Sequence, residues 1–164
     1  MYVLLRWFDT RTLPSLPRLL EPVRYAAFMA CVRSWHFVDR YGEVRAAPPA
    51  ETAAGEFSAP MAFDAVQERL LIEDGNTDAV IDQLIEQRHP ALFGMTPPQQ
   101  FDLVAPLVES AAALAITEIH DLLRYCCTAL TRGAGFEQRA PWAERLVLHR
   151  RGAMGLQDAL DDDA

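Results

Sequence analysis

The sequence predicts an α+β chain: a small, incomplete α/β lobe with a few strands, followed by an all-helical C-terminal lobe. Three observations lead there. Residues 2–8 alternate as a strand that is apolar on both faces, only residues 32–48 look capable of supplying later strands, and beyond residue 61 the apolar positions recur at helical spacing. With 164 residues, 51% of them hydrophobic, the chain can bury one ordinary core or two small ones.

The opening strand, MYVLLRWF, places Tyr2, Leu4, Arg6 and Phe8 on one side and Val3, Leu5 and Trp7 on the other. A strand apolar on both faces needs sheet neighbours. Half of this lobe is therefore expected to be missing or supplied by another molecule, and self-association through the N-terminal strand is a further expectation.

Pro14 and Pro17 punctuate a short helical stretch, and Pro22 starts a helix in which Tyr25, Phe28, Met29 and Val32 follow the i, i+3, i+4, i+7 rule. Residues 34–38 and 43–46 then flank Asp39-Arg40-Tyr41-Gly42, a hairpin turn with Gly42 at positive φ. The lobe spans residues 1–48. The Ala- and Pro-rich segment that follows reads as a linker over residues 49–60.

Residues 61–160 form the helical lobe. Phe63, Val66 and Leu70 mark one short helix, and Val80, Ile81, Leu84 and Ile85 a second, beyond a break at Asp74-Gly75-Asn76-Thr77. Thr96 and Gln99 make a capping-box start to a long helix bent at Pro106. Thr117 caps the next, with Ile119, Leu122, Leu123, Cys126 and Leu130 inward and Gly133 as its stop. A last helix is anchored by Trp142, Leu146 and Leu148 and broken at Gly152, and residues 161–164 form an acidic tail.

Residues 1–48 carry seven Arg against four acids, while the remainder carries eight Arg against nineteen. The acidic balance disfavours nucleic acid as a partner, and the asymmetry implies two different surfaces. No apolar run is long enough for a membrane span, so no membrane partner is expected, and Cys31, Cys126 and Cys127 read as reduced thiols of a cytoplasmic protein. His36, His89, His120 and His149 have no metal-site spacing, and no nucleophile elbow or phosphate-binding loop occurs. The chain is thus expected to be no enzyme and to need no cofactor or metal. His120 and Cys127, seven apart on one helix face, could share a metal with Cys31, but a packed core explains the cysteines better, and a hydrolase using Asp9 and His36 has only unordered polar residues in its favour.

The candidate partner-binding residues are Arg6, Trp7, Asp9, Arg11 and Trp35. Asp9 can cap the following helix, and Arg6 and Arg11 offer guanidinium forks for carboxylates or carbonyls. From residue types alone, a structural ion-pair cluster at a strand-to-helix corner is the commoner role for such a triplet. Trp35 can be a core anchor or a contact residue.

These residues also carry a resemblance. The run LLRWFDTRTL, the helix PVRYAAFMACV, then Trp35 and the Gly42 hairpin resemble the second half of the type VI secretion effector adaptor domain, the family of Tap or TEC chaperones. Arg6, Trp7, Phe8, Asp9, Arg11 and Trp35 match its pattern, and Thr10 departs from it where the family carries proline. The helical part, from Gln67 and Leu70 through Pro90-Ala91-Leu92 to Trp142, looks like the extension such adaptors carry. The resemblance implies a cytoplasmic adaptor that binds an effector toxin and helps load it onto a VgrG-type spike protein. The alternative is a small immunity or regulatory protein that binds one toxin through its acidic surface.

Overall fold

A computed structural model of the chain describes residues 13–30, 32–53 and 63–161. Its described elements are mainly helical with one antiparallel pair of strands, as an α+β chain with a helical C-terminal part requires. Two compact units divide between Asp74 and Gly75. The expected linker at 49–60 falls partly outside the described residues, as does the whole of the opening strand.

The first unit starts with a 3-10 turn, Leu13–Ser15, followed by α1 (Leu16–Leu19) and α2 (Pro22–Met29). Pro17 and Pro22 sit in first turns, where a missing N–H leaves no bond unmade. The hairpin pairs β1 (His36–Val38) with β2 (Val44–Ala46), setting His36 opposite Ala46, Phe37 opposite Arg45 and Val38 opposite Val44. Leu13, Leu16, Leu20 and Tyr25 form the buried core, with Phe28, Met29, Trp35, Phe37 and Phe63 packed against it. The Tyr25 hydroxyl donates to the Pro48 carbonyl at 2.6 Å, tying α2 to the chain that leaves the hairpin. Burial raises the Tyr25 pKa, so this donor keeps its proton. Val32, expected to extend the buried stripe of α2, is exposed because the helix ends at Met29.

The largest departure from expectation is α3 (Ala65–Glu86), a single helix of 22 residues where two short ones were expected. Its start is a reciprocal capping box: the Asp64 carboxylate accepts from the N–H groups of Val66 and Gln67, both at 2.8 Å, while Gln67 Oε1 accepts from Asp64 N–H at 3.0 Å. Gln67 Nε2 then donates to the Leu19 carbonyl at the end of α1 at 2.6 Å. Seven residues on, and so on the same helix face, the Asp74 carboxylate receives Arg18 Nη2 at 2.8 and 2.9 Å. These clamps bring the first turns of α3 into the first unit. Val66, read as part of an apolar stripe, is 68% exposed instead.

Gly75 does not break the helix, because an interior glycine costs only about 1 kcal/mol relative to alanine. Beyond it Val80, Ile81 and Leu84 are buried in the second unit, each gaining about 1.5–3 kcal/mol. Tertiary burial outweighs local propensity.

The second unit adds a 3-10 turn (Pro90–Leu92), α4 (Pro97–Ala113), α5 (Ile119–Arg132), a 3-10 turn (Phe136–Gln138), α6 (Trp142–Arg150) and α7 (Leu156–Leu160). Helices α4 and α5 pack together, as do α6 and α7. At the start of α4, Gln99 Oε1 accepts from the Thr96 N–H at 2.9 Å and its hydroxyl at 3.1 Å, and the helix continues through Pro106. Thr117 is not the cap of α5; that position is Glu118. The chain leaves α4 through Ala115 at φ 64, Ile116 N–H bonds Ala111 O, and buried Ile116 sets where α5 can begin. Gly133, at φ 89, ends α5 as the sequence predicts.

Leu146 is buried and Trp142 packs on the core, but Leu148 is exposed, contrary to expectation. At 100° per residue Leu146 and Leu148 point to nearly opposite sides of α6. The core includes an aromatic cluster closed by Trp142: Tyr125 and Phe136 lie 5.3 Å apart by ring centroid, Phe136 meets Trp142 edge-on at 6.0 Å, and the Arg132 guanidinium covers the Trp142 ring at 5.5 Å. Among the described residues, the buried Tyr125 hydroxyl and Trp142 Nε1 find no hydrogen-bond partner of ordinary geometry. Burial, then the nearby Glu137 carboxylate, raises the Tyr125 pKa, so the hydroxyl is neutral. No described helix is long and apolar enough to cross a membrane.

The continuity of α3 has a direct test. Nothing lies within 4 Å of a Cβ built at Gly75, and its φ is not positive. Gly75→Ala should therefore raise stability by about 0.5–1 kcal/mol in urea melts. A loss of stability would mean that the helix is interrupted there.

Candidate functional site

The hairpin of the first unit has two chemically different faces, set by the strand period of two. Phe37 and Arg45 share one face, and Phe37 packs against the buried core. On the other face His36, Val38, Val44 and Ala46 all lie exposed, with Val38 52% and Val44 70% accessible. An outward cross-strand valine pair has no structural duty in the described unit. It offers a small apolar surface with a histidine at its margin.

The turn that presents this surface is held by Asp39. Its carboxylate accepts from the N–H groups of Tyr41 and Glu43, both at 2.9 Å, and from Arg45 Nε at 3.0 Å. The Gly42 N–H bonds Asp39 O at 3.0 Å, and Gly42 at φ 81 completes a three-residue loop of the kind that calls for glycine at its left-handed position. Arg45 also reaches Glu43, so one guanidinium braces both ends of the turn. The Arg45 hydrogen bond, followed by the two backbone amides, holds the Asp39 carboxyl below the usual carboxylate range.

Trp35 immediately precedes β1 and stacks on Phe28 of α2, with centroids 5.3 Å apart and planes 17° from parallel. It is partly buried, and its carbonyl accepts from Ala47 N–H at 2.8 Å, which extends the hairpin by one pair. Trp35 thus anchors the hairpin to α2 while staying partly accessible. Arg6, Trp7, Asp9 and Arg11 lie outside the described residues. Of the residues read from the sequence as partner-binding, the structure describes Trp35.

The Val38–Val44 pair escaped sequence reading. Its signal was present in the alternation on either side of Gly42, but only the register shows that the two valines lie opposite each other and point away from Phe37. Among the described residues no group of three His, Cys, Asp or Glu side chains is placed to hold a metal ion. Burial, and secondarily Cys127, pushes the Cys126 thiol up to about 12, so it behaves as an apolar core group. No protein-family model, curated protein or solved structure matches the chain.

Two outcomes are expected of the turn. A Cβ at Gly42 meets nothing within 4 Å, so Gly42→Ala is opposed by its φ alone and should cost about 1–2 kcal/mol in denaturant melts. For Asp39 the folded pKa is depressed, so its stabilisation is present above the ordinary value of 3.8 and is lost as pH falls through the lower folded value. An NMR titration should place the Asp39 midpoint below 3.8; a midpoint at or above it would refute the Arg45 contact.

Proposed function

We propose that the chain is an adaptor that binds a type VI secretion effector and helps load it onto a VgrG-type spike. The observation that carries this reading is the Trp35 stack on Phe28 immediately before the Gly42 hairpin. It supports the resemblance at the point where a helix, a tryptophan and a glycine hairpin are expected in that order. The charge asymmetry between residues 1–48 and the rest supports a protein with two differently charged binding surfaces. On this reading Arg6, Trp7, Asp9, Arg11 and Trp35 are cargo contacts, and the outward hairpin face with Val38 and Val44 is a further one. The work is binding in the cytoplasm, with no chemical step and no cofactor.

Purification of the tagged chain from its native cytoplasm, with mass spectrometry of what co-elutes, tests this. A stoichiometric secretion toxin or VgrG-type protein is expected, and a bound toxin should retain its activity. A toxin whose activity is abolished in the complex would establish the immunity reading instead. Within the adaptor reading, Val44→Glu should leave the melting transition unchanged, because the residue is exposed, yet weaken cargo affinity by about tenfold or more by breaking an apolar contact. Unchanged affinity would remove the hairpin face from the cargo surface.

A further inference from the structure

Helix α6 carries an apolar pair on the side away from its core. Leu146 is buried and Trp142 packs inward, whereas Glu144, Val147, Leu148 and Arg151, spaced i, i+3, i+4 and i+7, lie together on the exposed face. Val147 is 48% and Leu148 39% accessible. Neither the Glu144 nor the Arg151 side chain makes a hydrogen bond or ion pair with any described residue. The end of the stripe is well fixed: Gly152 N–H bonds His149 O at 2.8 Å and Ala153 N–H bonds Leu148 O at 2.9 Å, a double closure around Gly152 at φ 72.

The charges at the two ends of this stripe match each other. Glu144 and Arg151 are equidistant from the midpoint between Val147 and Leu148, at an overall separation of about 10 Å along the axis. Turning a second copy of α6 antiparallel about that midpoint brings Glu144 opposite Arg151 at both ends and Val147 opposite Leu148 in the middle. Such self-complementarity is what a two-fold interface demands. The placement of Glu144 in the first turn and Arg151 past the last also suits the helix dipole, but the dipole gives no reason for two large aliphatic side chains to face outward between them.

We infer that the outward face of α6 is a homodimer contact, in which two copies of the chain pair their α6 helices antiparallel through Val147 and Leu148, bracketed by two Glu144–Arg151 ion pairs. One short helix from each copy is a small contact, so the dimer is weak and sensitive to ionic strength.

The test is sedimentation equilibrium of the full chain over a range of concentrations, on the parent and three variants. The parent should dimerise reversibly and less tightly as salt is raised. Because each reversal acts twice across a two-fold axis, Glu144→Arg and Arg151→Glu should each weaken the dimer by about tenfold or more. The double variant, which restores opposite charges, should return to within about threefold of the parent. All four residue positions are exposed, and circular dichroism of each variant should match the parent. A chain that stays monomeric at every concentration overturns the inference. So does a dimer indifferent to the single reversals, which would place self-association elsewhere, or one that the double variant fails to restore.

Discussion

The Gln67 side-chain amide is the contact on which the arrangement of the first unit depends. Its oxygen completes the capping box that starts α3, and its nitrogen satisfies the last carbonyl of α1. A helix start normally leaves its first N–H groups orphaned and a helix end its last carbonyls. Here one side chain serves both kinds of terminus at once. The Arg18–Asp74 pair, on the same face of α3, adds a second attachment, but with Arg18 largely exposed its contribution is the modest one of a surface ion pair.

Within that frame, burial and polarity divide the hairpin between structure and presentation. Phe37 and the Trp35–Phe28 stack hold it to the core. Asp39 and Arg45 hold its turn, and the Val38–Val44 face stays exposed. A two-stranded sheet has little stability of its own, so the packing of Trp35 and Phe37 against α2 and the core beneath it is what makes a defined outward surface possible.

The second unit uses a different solution. Its centre is aromatic, with Tyr125 and Phe136 fully buried and Trp142 closing the edge beneath Arg132. The Tyr125 hydroxyl and Trp142 Nε1 are buried in that cluster without a hydrogen bond of ordinary geometry to a described residue, a desolvation cost accepted where large rings supply the contact area. The cysteines of α5 take part as small apolar groups, with Cys126 wholly buried. Helix α6 contributes Leu146 and Trp142 to this core and turns its aliphatic pair outward, so a single short helix serves both the interior and a surface.

The sequence alone determined the features whose signals are local: proline at the start of α2, glycine at the hairpin turn, the Thr96–Gln99 start of α4 and the Gly133 end of α5. Each depends on the backbone preference or hydrogen-bonding reach of one or two residues, which any reader of the chain can see. Helical periodicity likewise placed Leu122 and Cys126 inside. Tertiary structure decided what depends on partners distant in the chain. Gly75 stays helical because Val80 and Leu84 are buried beyond it, and Gln67 finds Leu19 across 48 positions of sequence. The choice between Leu146 and Leu148, and the outward turn of Val38 and Val44, followed from which face met a core, a question of packing that no single stretch of residues contains.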